Sequence, residues 1–397
     1  MFHRYIRLAG VAAMLWVAAA QGAPSTDEKI DQLSEELERL KAEITKGKGG
    51  DGGPASGGKT TIGGYGELHY NNLDSKKEID FHRFVLFFGH KFSDRIRFHS
   101  EVEIEHAFLK DNNNSGTSSA SKGELEIEQA YIEFDLNQRH RALAGLFLVP
   151  VGILNETHEP PTFYGVERNA VENRIIPATW WEAGVGFKGD IGAGFGYDLA
   201  VTSGLQIATT GSSAYNIRSG RRKVSEAPAD SLAYTGRLRW TGLPGIELAA
   251  SLYHQDDINQ AGTVLPPISA TLAEAHIVVS KGPFAVRALF AQWRLNGGND
   301  ANNPSIGASA SSSGSDIQNG WYVEPAYKIT TWLGAFVRYS ERNNRAGDAN
   351  DSDTETRQID YGVNFWPHPQ VVLKADVMRQ EGAIRDNGYN LGVGYMF

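Results

Sequence analysis

The sequence predicts an all-β protein: a 16-stranded antiparallel transmembrane β-barrel with a short N-terminal α-helical coiled-coil segment. Three observations predict it. From Thr60 onward, apolar and polar residues alternate in about sixteen segments, most near the ~9–11 residues that a tilted membrane strand needs. The connections are alternately short and long, as in barrels with short periplasmic turns and long outer loops. After residue 23, no apolar run approaches the roughly 20 residues of a spanning helix, so any spanning structure must be a closed barrel.

Composition sets the outer bounds. A chain of 397 residues allows one large domain and a small appendage. Cysteine is absent, which excludes a disulfide framework, thiol catalysis and cysteine metal sites. Removing residues 1–23 takes away Arg4 and Arg7 and moves the formal charge from -9 to -11. A nucleic-acid partner is therefore not expected. The mean hydropathy of -0.35 resembles that of a soluble protein. A barrel gives the same figure, because only alternate strand residues face lipid.

Residues 1–23 read as an export signal: Arg4 and Arg7, an apolar core from Leu8 to Ala20, then small residues through Ala23. Residues 24–46 read as a periplasmic coiled-coil helix. Ile30, Leu33, Leu37, Leu40 and Ile44 form an a/d seam, with Glu36 at g and Lys41 at the following e. Ser25, Thr26 and Asp27 offer caps ahead of it. So short a seam is marginal alone, and an unpaired amphipathic helix fits the same pattern. The Gly-rich segment 47–59 reads as a flexible linker, and 60–397 as the barrel.

Strands are expected to begin near Thr60, Ile79, Arg95, Gly123, His140, Thr179, Phe195, Ser231, Ile246, Ser269, Pro283, Gln318, Thr331, Arg357, Gln370 and Asn387. Segment 95–108 shows the alternation best. Ile96, Phe98, Val102, Ile104 and Phe108 fall on one face, and Arg95, Arg97, His99, Glu101, Glu103 and Glu105 on the other. The last strand carries Tyr389, Leu391, Val393, Tyr395 and Phe397 on one face, an aromatic ending similar to the assembly signal of bacterial outer-membrane proteins. Tyr70, Phe92, Trp181, Trp240, Trp332 and Trp366 lie near strand ends and fit interfacial girdles, although Trp366 has the wrong parity for its strand.

The inward face is densely charged. Arg83, Arg97, Glu101, Glu103, Glu133, Arg237, Arg239, Arg287 and Arg338 are the expected pore-lining residues. Basic residues at mid-bilayer would cost ~2–4 kcal/mol each, so these must line water or pair with one another across strands. The segment 152–178 is the third outer loop. Its Pro160-Pro161 pair stiffens it, and Glu156, His158, Glu159, Tyr164, Glu167, Arg168, Glu172 and Arg174 supply polar heads. They are the constriction-loop candidates, with a loop lying over the mouth as the alternative. In the fourth outer loop, Arg218, Arg221, Arg222 and Lys223 form a basic run that suits anions, lipopolysaccharide phosphates or plain solvent.

The opening strand GGYGELHYNN, the hairpin FHRFVLFFGHKFSDRIRFHSEVEIE, the strand AYIEFDL, the stretch GLFLVPVGIL and the aromatic C-terminus carry a resemblance. Across 60–397 the chain resembles the phosphate- and polyphosphate-selective porins of the O/P type. The resemblance implies a homotrimer in the cell outer membrane, among lipid and lipopolysaccharide. It also implies passive diffusion of small hydrophilic solutes and ions, with phosphate and other anions as the candidate preference.

Other classes make distinct demands. A sugar channel needs an aromatic track, for which Tyr65, Tyr131, Tyr253, Trp293, Tyr322 and Phe336 have the right parity. A barrel-embedded enzyme needs a convergent nucleophile and base, and no such set stands out. A surface receptor needs a plug domain. No cofactor or metal is expected. Gly184, Gly186 and Gly189 match a dinucleotide fingerprint with no helix behind it, Asp348 to Asp353 lack calcium-loop spacing, and the prolines near Glu156, His158 and Glu159 spoil a helical ligand face.

Overall fold

The computed structural model describes residues 60–107, 123–262, 265–297, 310–311, 313–347 and 354–397. The expected export signal, coiled-coil helix and linker lie outside them. Sixteen strands form the wall: β1 (Thr60–Leu73), β2 (Lys77–Ser93), β3 (Ile96–Glu105), β4 (Leu125–Asp135), β5 (His140–Leu148), β6 (Trp181–Gly192), β7 (Phe195–Thr202), β8 (Ala233–Leu243), β9 (Ile246–Gln255), β10 (Ile268–Lys281), β11 (Phe284–Gly297), β12 (Ile317–Lys328), β13 (Leu333–Asn343), β14 (Glu355–His368), β15 (Val371–Gly382) and β16 (Gly388–Met396). Each pairs antiparallel with its sequence neighbours, and β1 closes the barrel against β16. Every strand begins within two residues of its expected start.

Period-two alternation decides which way each side chain points. Outward lie Ile62, Leu68, Val185, Phe187, Leu199, Leu238, Leu252, Phe290, Val337, Ile359, Leu391 and Val393, all exposed. Apolar surface spread so widely around the wall does not suit water, and a bilayer would solvate it. Inward lie the buried charges Glu67, Arg83, Glu103, Glu133, Asp198, Arg237, Glu324, Arg338, Asp360 and Asp376. No helix among the described residues is long and apolar enough to cross a membrane, so strands would do the spanning.

Two register irregularities re-aim side chains. In the β3–β4 ladder Glu101 pairs with Gln129 and Val102 with Ile127, which leaves Glu128 as an extra residue. A bulge of this kind breaks the alternation, and Glu128 is wholly buried. A second irregularity lies between Phe365 and His368 of β14. There Trp366 turns inward and donates from Nε1 to the Pro161 carbonyl (3.3 Å). Trp366 is therefore not in the girdle, and neither is Trp181, which is buried beneath the Arg221 guanidinium. Phe92 and Trp332 are outward and exposed, as expected.

The interior holds an apolar core of its own. Val149, Ile153, Val171, Ile175, Ile176 and Trp180 of the third loop pack with Leu205, Ile207 and Ile217 of the fourth against inward residues of β8–β12. Trp180 lies 5.0 Å from the Tyr253 ring and 6.2 Å from Trp293. These aromatics are covered by loop, so they do not form an open track.

Candidate functional site in the barrel interior

The third loop, 149–180, does not lie over the mouth; it runs down inside the barrel. Gly152 turns the chain with a φ of +80°, a conformation that suits glycine. Below it, five successive carbonyls each take a hydrogen bond from a wall side chain. Trp366 donates to Pro161, Arg287 Nη2 to Thr162 (2.8 Å), Asn364 Nδ2 to Phe163 (3.0 Å), Arg338 Nη1 to Tyr164 (3.4 Å) and Lys374 Nζ to Gly165 (2.8 Å). The next amide, Val166, donates to Asp376 Oδ2 (2.6 Å). A segment opening with two prolines cannot form a regular ladder, so its carbonyls need outside donors, and the inward face supplies them.

The loop then forms a short helix, α1 (Ala170–Arg174), capped by the Asn169 side chain on the Val171 and Glu172 amides. Glu172 is wholly buried. Its Oε2 accepts from the Ile153 (2.7 Å) and Leu154 (2.6 Å) amides, and its Oε1 from the Tyr322 hydroxyl of β12 (2.7 Å). Burial raises this carboxyl above its ordinary value, while the Tyr322 hydroxyl and the two amides pull the other way.

Most of the expected pore-lining charges are engaged in the wall. Arg83 bridges Glu67 (2.7 Å) and Glu103 (2.9 Å). Arg97 bridges Glu133 and Asp135, and Lys188 shares Glu133. Arg237 and Arg239 meet at Asp198, and Arg338 joins Glu324 (3.0 Å) to Asp360 (2.9 Å). Of the loop candidates, Glu156 pairs with Arg237. Glu167 accepts from Asn71 (2.9 Å) beside His69 of β1. Tyr164 stacks between Phe336 and Trp366. Glu159 contributes its carbonyl to the turn at Thr162. His158 is buried and faces Glu101 rather than Glu156 or Glu159. Beside the loop a cavity of about 250 Å³ remains, edged by Gln129, Tyr131, Glu156, Lys188 and Asp198.

Three basic side chains with no carboxylate bonded to them among the described residues gather at residues 178–179. Arg168 Nη1 approaches the Thr179 hydroxyl (3.5 Å), and Arg221 donates to the Thr179 carbonyl. Arg218 donates to the carbonyls of Asn173 (3.1 Å) and Ala178 (2.5 Å). Buried nitrogens of Arg168, Arg221 and Arg342 have no hydrogen-bond partner. Burial, then the charges of Arg221, Arg168 and Arg174, lowers the Arg218 guanidinium to about 8. Lys223, in contrast, pairs with Glu124 and Glu126 at the rim.

Sequence reasoning missed Glu128, and it named Glu172 as a polar head of the loop without its partner on β12. Strict alternation puts Glu128 on the lipid face. The signal for its bulge was present, because the apolar residues switch parity between Ile127 and Ile132. No local pattern announces that Glu172 reaches Tyr322.

A closed sixteen-stranded barrel with its third loop folded inside is the architecture of the outer-membrane porins. OmpF of Salmonella typhi, in a complex with daunomycin, matches with a TM-score of 0.57 at 11% identity, over 86% of this chain and 98% of that one. OmpT of Vibrio cholerae, a loop L8 deletion mutant, matches at 0.55 and 11% identity, over 86% and 100%. An anion-selective porin from Comamonas acidovorans matches at 0.54 and 11% identity, over 85% and 99%. These likenesses establish the fold. No family model matches the sequence. An uncharacterized protein of Aquifex aeolicus (strain VF5) is 32% identical over 361 residues, 85% of this chain and 80% of that protein, and the chain belongs to its family.

Proposed function

We propose that this protein is an outer-membrane channel through which small hydrophilic solutes diffuse passively, with a preference for anions. The observation that carries the preference is the sorting of charge. The wall residues Arg83, Arg97, Arg237 and Arg338 are neutralised by carboxylates. Arg168, Arg218 and Arg221 converge on residues 178–179 with no carboxylate bonded to them among the described residues. A cluster of cations in a confined space attracts anions and repels cations. Phosphate fits such a cluster through paired guanidinium donors. The reading involves no catalysis, and it places the chain in the outer membrane after export, as a homotrimer among lipid and lipopolysaccharide. It disfavours a sugar track, because Tyr65, Tyr253, Trp293 and Tyr322 are covered.

The test is reversal potential in a KCl gradient across a planar bilayer, with phosphate added. The wild type is expected to favour chloride and to be blocked by phosphate. The paired substitution Arg218→Ala with Arg221→Ala should lower the anion-to-cation permeability ratio severalfold. An unchanged ratio refutes the role of the cluster, and a folded barrel without conductance refutes the channel.

A further inference from the structure

We propose that Glu101 of β3, Glu128 of β4 and His158 of the third loop form a binding site for one divalent cation of the zinc class, which fastens the loop to the wall. One oxygen of each carboxylate and one imidazole nitrogen lie within 4.8 Å of one another, and all three residues are buried. His158 Nε2 stands 3.5 Å from Glu101 Oε1 and 3.6 Å from Glu128 Oε2. Two ligands at ~2.0–2.2 Å from a shared tetrahedral ion stand roughly 3.3–3.6 Å apart. A charge-assisted N–H···O bond would instead close to about 2.7–2.9 Å.

The free valences point the same way. Neither Glu128 oxygen has a hydrogen-bond partner, nor does Glu101 Oε1 or His158 Nε2. The Glu128 side chain is wholly buried, and a carboxylate there with no hydrogen bond and His158 as its ion-pair partner at 3.6 Å is costly. On its other side, His158 Nδ1 lies 3.2 Å from the Asn155 carbonyl, where its N–H donates. That bond fixes the ring and directs Nε2 at the two carboxylates, the usual outer support of a metal-bound histidine. The Tyr65 ring packs edge-on against His158 (5.9 Å), and its buried hydroxyl has no partner.

Local charge is mixed, since Arg168 acts on His158 against a cation while the carboxylates act for one. Glu103 adjoins the group, and the nearby Arg83 is already shared between Glu103 and Glu67. Imidazole with carboxylates and no sulfur suits Zn²⁺ or its neighbours better than Ca²⁺ or Cu⁺. A proton is the competitor. The cation would displace a proton held between His158 and the two carboxylates.

The experiment is equilibrium binding of Zn²⁺ to the purified, folded full-length protein after chelator treatment, with Co²⁺ absorption as a second probe of the ligand set. One Zn²⁺ per barrel is expected, together with a Co²⁺ visible spectrum of low-symmetry N/O coordination. His158→Ala and Glu128→Gln should each weaken binding more than about tenfold, and Glu159→Gln should not. Heat-modifiable gel mobility checks that the variants are folded, and the wild-type Co²⁺ spectrum stands independently of them. Absence of saturable binding to the wild type overturns the site, as does binding that survives both substitutions.

Discussion

Replacing Glu172 by leucine should release the third loop without opening the barrel. The carboxylate satisfies four buried donors: two amides at the start of the loop, the Tyr322 hydroxyl and the Asn169 side-chain amide (3.3 Å). Each orphaned donor costs ~1–3 kcal/mol, a gross loss of roughly 4–12 kcal/mol. Leucine returns part of this, because it no longer buries a carboxylate, and a net loss of roughly 2–5 kcal/mol remains for loop docking. The wall ladder is untouched, so the heat-modifiable mobility of the barrel should persist. Single-channel current should become larger and noisier as the loop leaves β12. Glu172→Gln should lose much less than the leucine variant: its oxygen keeps the two amides and its nitrogen donates to Tyr322, at the cost of the Asn169 side-chain bond. The pH dependence has a definite sign. Burial raises this carboxyl above its ordinary 4.5, so the folded loop favours the proton. That contribution is complete below about 4.5 and is lost as pH rises through the elevated value, and Glu172→Gln should abolish it. Wild-type conductance and noise in the leucine variant would refute the clamp.

Two further perturbations test the interior. Arg338→Met leaves Glu324 and Asp360 buried without their shared cation. It should cost about 3–5 kcal/mol, seen as a lower temperature for the mobility shift, and neutralising both acids as well should recover much of it. Gly152→Ala places a methyl 2.8 Å from Glu172 Oε2 at a φ of +80°. It should cost at least ~1–2 kcal/mol of loop docking, measured as protease cleavage within 149–180.

The wall was legible in the sequence because its rules are local. A two-residue period sets the faces, and turn residues set the ends, so the starts of β1 to β16 follow from the pattern alone. Parity also placed Arg83, Arg237 and Arg338 inward, where they lie. The interior was less legible because its contacts are distant in sequence. The carbonyls of 161–165 meet donors from β11, β13, β14 and β15, and nothing near Pro161 names Trp366. Tyr253 and Trp293 had the right parity for a wet wall, yet Trp180 covers both. His158 was weighed against its neighbours Glu156 and Glu159, whereas its partners come from β3 and β4, one of them through a bulge.

The seam between β1 and β16 has a consequence for biogenesis. Its pairs join Tyr65–Leu73 to Gly388–Met396, and the Asn71–Asn390 side-chain bond spans 319 residues of chain. Until that seam forms, both edges present bare peptide groups, each costing several kcal/mol in hydrocarbon. An open sheet therefore has no stable residence in the bilayer. On the proposed membrane reading, closure of β1 on β16 and insertion of the sheet are coupled steps, and a chain lacking β16 is expected not to form a smaller pore.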